Sequence, residues 1–379
     1  MKKITLHTKD ILIGLLILIL LLPSLQKFSG MAEPAPLKGV VIEKERPVFS
    51  PEGFFSGDYQ QQSMDYIEDH IGLRPYLVRL YNQVRFSWFR SSGSEEVVLA
   101  KDGHTLMTPA YINSYYGRSF IGADTIAQRV HLLEALQAEL QKKNKHLLLV
   151  LSPGKASYYP ELIPPYFRKA STLSNYDAYT AAFKNTSLHV LDFKKWFIDQ
   201  KDTVSRALFP PYGAHWTKYG ASLAADSLRS YMEHLSGKKM AARRLKRFDR
   251  SNGLNGQDYD LGDLLNLYTV LPPAELYNPK LDYQKSKTDD RPNVLVISDS
   301  YWWNLRETRM PDEQWGEYRF LYYFKTCYDQ RHGLVKKLEE INLQEEISRA
   351  DFVIIMSTEA NDHIFPFGFP EKALEKSKP

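Results

Sequence analysis

Two short blocks hold the side chains with the clearest capacity for chemistry. Ser300 follows the apolar run Val294–Ile297 within Ser298-Asp299-Ser300. A serine at a strand-to-helix turn exposes its hydroxyl, and the amides of the turn can face a developing oxyanion. The same residues also cap helices well, so the turn alone leaves both readings open. His215 lies in Gly213-Ala214-His215-Trp216-Thr217, just ahead of a helical stretch. An imidazole there can serve a neighbouring nucleophile as a base, or simply sit at a helix start.

Other chemistries lack support. His104, His332 and His363 show neither His-x-x-x-His nor His-Glu-x-x-His spacing, so no metal is expected. Cys327 is the single cysteine, which excludes an intrachain disulfide and a cysteine-based zinc site. No phosphate-binding glycine loop occurs, and no cofactor is expected. The net charge of +4, from 49 basic and 45 acidic side chains, is too balanced to demand a nucleic-acid partner. At 379 residues, 43% apolar and 25% charged, the chain suits one large domain or two ordinary ones. That composition excludes a disordered, collagen-like or polytopic membrane protein.

The elements that must position these residues follow from periodicity. Apolar positions Ile67 to Trp88 recur at helical spacing, broken at Pro75, and Val97–Met107 reads as a β-hairpin turning at Asp102-Gly103. Ile126, Val130, Leu133, Leu136 and Leu140 mark an amphipathic helix with Asp124 or Thr125 as its cap. Buried strands are expected in HLLLVLS, Ser187–Phe193, Asn293–Ser300 and Asp351–Thr358, with helices near Asn175–Lys184 and Thr217–Leu235 between them. The alternation predicts an α/β three-layer sandwich built on a parallel sheet. Ligands of such a sheet gather beyond the carboxyl ends of its strands, here Ser152–Lys155, Asp192, Ser298–Ser300 and Ser357–Asp362. Residues 237–290 read as an excursion whose basic run KKMAARRLKR is a solvated face, with contact to a phosphate or anionic polymer as the alternative.

The N-terminus carries Lys2, Lys3 and Lys9 ahead of the 12-residue apolar run Ile11–Leu22. This predicts an export segment over 1–30, either an uncleaved inner-membrane anchor or a cleaved signal peptide. Both place the remainder outside the cytoplasm. Proline-rich residues 31–56 read as a linker, and 57–379 as the folded domain.

Several blocks then resemble, in order, the alginate O-acetyltransferase type of SGNH-hydrolase-like proteins. DHIGLRPYLVRLYN precedes VVLAKDGHTLM, which is similar to that family's glycine-turn hairpin. Pro153, Lys155, Tyr159, Pro160 and Glu161 match its P-x-K-x-x-x-Y-P-E loop. HWTKYGA resembles its histidine block and ISDSY its nucleophile block. The resemblance implies a serine-dependent O-acetyltransferase with Ser300 as nucleophile and His215 as base. It implies a membrane-bound O-acyltransferase as acyl donor and a polysaccharide or cell-envelope glycan as acceptor. An esterase of the same fold is the alternative.

Two positions depart from the family pattern. Its glycine before Asp-Ser is Ser298, and its acid two residues before the histidine is Gly213. An orienting carboxylate is worth about 10⁴ in the turnover of a serine triad. Three outcomes are open: an acid from elsewhere, with Asp192, Glu359 and Asp362 near strand ends; a Ser–His dyad; or a non-catalytic scaffold subunit. Asn361 is a candidate oxyanion donor. Lys155, Tyr159, Trp216 and Tyr301 are candidate substrate contacts, part of an aromatic group (with Tyr158, Tyr212, Trp302 and Trp303) suited to sugar faces or to plain packing.

Overall fold

The computed structural model describes residues 7–31, 33, 35–39, 43–167, 173–284, 291–329 and 332–375. Lys2 and Lys3, parts of the expected linker and the end of the excursion lie outside the described residues. The chain divides into two compact units, residues 1–94 with 263–270, and residues 95–262 with 271–379. The helical stretch beyond residue 57, grouped above with the folded domain, belongs to the first unit.

In the first unit a 22-residue helix, Thr8–Ser29, continues through Pro23 and ends at Gly30, whose φ of 65° closes it. The apolar run is thus the middle of a longer helix, long and apolar enough to cross a membrane. Ser50 caps a short helix, Pro51–Ser56, inside the expected linker. Helices Asp58–His70 and Arg74–Phe89 follow. The break between them falls at Ile71–Leu73 rather than at Pro75. Proline lacks the N–H that a first helical turn does not need, so Pro75 opens the second helix instead of ending the first.

The second unit is built on a seven-stranded sheet: β1 (His146–Ser152), β2 (Val190–Asp192), β3 (Val294–Ser298), β4 (Tyr318–Tyr322), β5 (Thr326–Asp329), β6 (Leu334–Lys337) and β7 (Phe352–Thr358). Its order is β6-β5-β4-β3-β7-β1-β2. The five strands from β4 to β2 are parallel, and β5 and β6 extend the β4 edge antiparallel. The sheet is therefore mixed and mostly parallel, wider by the three strands β4–β6 than the sequence runs suggest.

Helices cover both faces. Leu147, Leu149, Leu151, Leu295, Ile297, Val353 and Ile355 pack against Ile126, Val130, Leu133 and Leu140 of the helix Ala123–Gln141. Gly122, not Asp124 or Thr125, precedes that helix. Asp124 sits in its first turn, where a carboxylate meets the positive end of the helix dipole. Alternate residues Leu148, Val150, Val296 and Ile354 face the other layer and are fully buried. That layer holds Phe193–Asp199, Lys218–Ser236 and Tyr301–Glu307. The second half of the basic run enters a two-stranded ribbon, Arg243–Ser251 with Leu276–Tyr283, where Lys246 and Arg247 are solvated, whereas Met240 and Ala241 are buried and Arg243 is covered beside Asp226. The hairpin near residue 100 is a short ladder, Val98–Leu99 with Leu106–Met107.

Candidate active site

β3 and β7 run parallel in register, pairing Ser298 with Met356, and β7 pairs Thr358 with Ser152 of β1. Their carboxyl ends therefore share one rim. Ser300 lies two residues beyond the end of β3, immediately before the helix Tyr301–Glu307, and its side chain makes no capping hydrogen bond. Asp299 takes the local role instead. Its buried carboxylate accepts from Tyr301 N (3.1 Å), Thr358 N (2.8 Å) and Thr358 Oγ1 (2.9 Å). That ties the turn to β7 and leaves the Ser300 hydroxyl free for another partner.

The partner is His215, whose Nε2 is 2.9 Å from Ser300 Oγ. Its Nδ1 is 2.9 Å from Asp260 Oδ2. A carboxylate only accepts, so the shared proton sits on Nδ1, and Nε2 is left to accept from the serine hydroxyl. Several groups hold the histidine loop. Ala214 N donates to Asp260 Oδ1 (2.8 Å), Tyr301 Oη to Ala214 O (3.2 Å), and Asn304 Nδ2 to Trp216 O (3.3 Å). The Tyr301 ring lies 4.9 Å from the imidazole.

Asp260 comes from the excursion, just after the turn Gly256–Asp258. Leu261 N and Gly262 N both donate to Tyr212 O at 3.1 Å, which docks this segment on the histidine loop. The docking explains the glycine at 213. A Cβ there would stand 2.2 Å from Gln257 O and 2.9 Å from Pro210 Cγ, so the segment bearing Asp260 leaves no room for a side chain.

The carboxylate on the second ring nitrogen thus belongs to Asp260, not to Asp192, Glu359 or Asp362. Those three have other surroundings. Asp192 accepts from Lys195 N (2.8 Å) and Tyr176 Oη (2.7 Å), capping the helix Phe193–Asp199. Glu359 is buried against Lys194 Nζ (2.7 Å) and the Ser157 hydroxyl. Asp362 is buried, and that burial, reinforced by Glu359, pushes its carboxyl well above the usual range.

Lys155 is neither at the surface nor paired with an acid. It is 1% exposed, and its ammonium donates to Leu106 O (2.8 Å), Pro211 O (2.9 Å) and Gly213 O (2.8 Å). Burial pushes its amine down to about 7. It fastens the histidine loop from beneath. Tyr159 lies beside Tyr158 and Lys201, away from the Ser–His contact, and burial pushes its phenol up to about 12. Tyr158, Tyr212, Trp216, Tyr301 and Trp302 are at most 4% exposed, so they pack the interior rather than offering faces to a sugar. Trp216 sits among Phe193, Phe197 and Tyr301.

Asn361 Nδ2 contacts Asp299 Oδ2 (2.9 Å), Tyr323 Oη (3.3 Å) and Thr358 Oγ1 (3.3 Å). An oxyanion role for it requires one of these contacts to open. Tyr323, which the sequence reading missed, stands nearer the chemistry. Its hydroxyl accepts from Asn361 Nδ2 (3.3 Å) and lies near Ser300, and burial, then Asp299, pushes it up to about 12. Tyr323 and Phe324 hold φ of 49° and 53° in the turn between β4 and β5, a region non-glycine residues seldom occupy. Among the described residues, no cluster of histidine, cysteine or carboxylate groups could hold a metal ion.

A serine after a central strand, a histidine ahead of a helix and an acid on its far nitrogen thus meet at one rim of the mostly parallel sheet of an SGNH-hydrolase-like fold. Residues 114–297 match the family model described as an SGNH hydrolase-like domain, acetyltransferase AlgX. The match takes in Lys155, His215 and Asp260 and ends three residues before Ser300. No curated protein matches the chain by sequence. Among solved structures, it is similar to the O-acetyltransferase domain of Pseudomonas putida AlgJ, at 17% identity and a TM-score of 0.47, covering 71% of this chain and 92% of that one. Bacillus cereus PatB1 follows at 12% and 0.45, covering 70% and 96%. Pseudomonas aeruginosa AlgX is 16% identical with a TM-score of 0.39, covering 69% and 55%.

Proposed function

We propose that the chain is a serine-dependent O-acyltransferase, with acetyl as the acyl group, acting on a polysaccharide or cell-envelope glycan. What supports the reading is the continuous relay Ser300 Oγ–His215–Asp260, with two contacts of 2.9 Å. Ser300 Oγ attacks the carbonyl carbon of the acyl donor while His215 Nε2 takes the hydroxyl proton. The donor's leaving group departs with that proton, and the acyl group remains as an ester on Ser300. A sugar hydroxyl then attacks the ester, losing its proton to His215, which returns it to Ser300 Oγ. Asp260 keeps the imidazole in the right tautomer and balances its charge in both steps. The missing acid at 213, which on sequence left a scaffold role open, is made good by Asp260.

In this reading Thr8–Ser29 anchors the protein in the inner membrane and the catalytic unit works outside the cytoplasm. A membrane-bound O-acyltransferase supplies the acyl group. Water competes with the sugar for the acyl-serine, so transfer depends on acceptor positioning. The test is turnover of an acetyl ester with and without acceptor glycan, in the native chain and in Ser300→Ala. Acetylated glycan formed by the native chain alone supports transfer. Acetate release indifferent to glycan indicates an esterase, and equal activity of both chains removes Ser300 from the reaction.

A further inference from the structure

The helix Arg74–Phe89 wears its amphipathicity inside out. Tyr76, Leu77, Leu80, Tyr81, Trp88 and Phe89 are 36–78% exposed, while the buried residue of the helix is Asn82, whose amide donates to Leu265 O at 2.9 Å. At 3.6 residues per turn, all but Phe89 of these apolar side chains share one face. A helix of a water-soluble surface shows the opposite pattern. Such a stripe calls for an apolar occupant.

Two observations identify that occupant. The turn that starts this helix is docked on the end of the apolar helix Thr8–Ser29. Leu73 N donates to Gln26 Oε1 at 3.0 Å, and a Cβ on Gly72 would stand 2.0 Å from Pro23 O, so the backbones touch. In a helix that crosses a bilayer, Gln26 and Lys27 after Leu25 mark the level where hydrocarbon gives way to headgroups. Arg74–Phe89 therefore begins at that level. Its composition fits the place: no acidic residue, Tyr and Trp on the apolar face, and Arg85 beside that face, while Arg74 is paired with Asp69 (3.1 Å) and Arg79 donates to Ala35 O and Pro36 O. Basic residues with interfacial aromatics are what an anionic lipid surface holds. The preceding helix, with Asp58, Asp65, Glu68 and Asp69, is acidic and unsuited to it.

We propose that Arg74–Phe89 lies in the headgroup layer of the membrane crossed by Thr8–Ser29, with anionic lipid as its partner. The proposal rests on reading Thr8–Ser29 as an anchor, and is independent of the Ser300 chemistry. The test places a single environment-sensitive dye on the full chain in vesicles of phosphatidylcholine and phosphatidylglycerol, through Leu80→Cys, Ile17→Cys or Gln62→Cys. Native Cys327 is 4% exposed with its thiol raised to about 11 by burial, and stays unlabelled in the folded protein. We expect the dye at 80 to be quenched by lipid-borne nitroxides at headgroup depth and shielded from aqueous iodide, and the dye at 62 to show the reverse. Arg85→Glu, or pure phosphatidylcholine, should weaken the shielding at 80. Iodide quenching at 80 equal to that at 62, with the dye at 17 still quenched by deep lipid nitroxides, overturns the proposal alone. Shielding at 80 from both quenchers overturns it in favour of a protein covering the stripe. Absence of lipid quenching at 17 overturns the anchor, and the proposal with it.

Discussion

Asp260 Oδ2 lies 2.9 Å from His215 Nδ1, though 45 positions separate the two in the chain. The other oxygen of the same carboxylate accepts from Ala214 N at 2.8 Å. One side chain thus fixes both the imidazole and the backbone that carries it. The acid comes from a segment 45 residues further along the chain, and that segment's own backbone fills the space above Gly213.

Asp260→Asn is expected to leave the fold intact and lower turnover by about 10⁴, because an amide favours the wrong imidazole tautomer. Steady-state hydrolysis of an acetyl ester, with circular dichroism as the folding control, measures this. A loss of less than tenfold would mean that the carboxylate does not orient the base.

Restoring the acid at 213 should not help. Gly213→Asp in the Asp260→Asn background is expected to remain inactive. Gly213→Ala alone should destabilise the second unit by about 1–3 kcal/mol, since its Cβ meets Gln257 O at 2.2 Å. Thermal denaturation reads the second effect. Recovery of activity by the double variant would show that the segment moves aside readily.

Tyr323→Phe removes a hydroxyl that is bonded to Asn361 and lies near Ser300. If that hydroxyl donates to the oxygen that becomes negative on attack, turnover should fall by about 10²–10³ with KM little changed. A rise in KM at constant turnover would assign it to ground-state binding instead.

Asp258 gives a pH dependence of stability. It is 5% exposed, and burial pushes its carboxyl up to about 6, with Lys218 opposing the shift. The unfolded carboxyl titrates near 3.9, so between about pH 4 and 6 the folded state keeps a proton that the unfolded state has lost. Protons bound are fewer in the unfolded state, and stability falls as pH rises through that window. Asp258→Asn should therefore be more stable at pH 7, by roughly 3 kcal/mol, and equal to the native chain near pH 3.5. Urea denaturation at the two pH values checks it; an equal effect at both would point to lost packing instead.

The central sheet was legible because β1, β3 and β7 are buried on both faces and read as unbroken apolar runs. β4 and β5 mix Arg319, Asp329 and several tyrosines, since they approach an edge where one face is only partly covered, and the runs vanish. Ser300 and His215 stand next to local signals, a strand end and a helix start. Asp260 has none. Its position depends on two amides of its segment finding Tyr212 O, a tertiary event that leaves no spacing to read. Tyr323 was hidden for a related reason: it occupies a left-handed turn position where glycine or asparagine is the usual signal. Lys155 was visible as part of a motif, but its role required knowing that three carbonyls converge beneath the histidine loop.

The most direct test of the account is the site of the covalent intermediate. The full chain is exposed briefly to an activated acetyl ester without acceptor, quenched in acid, digested and mapped by mass spectrometry. The account predicts one acetyl group on the peptide carrying Ser300, absent in Ser300→Ala, strongly reduced in His215→Ala, and discharged when acceptor glycan is added before the quench. Turnover of the ester with no acetyl on Ser300, or with an equal yield in His215→Ala, would contradict it.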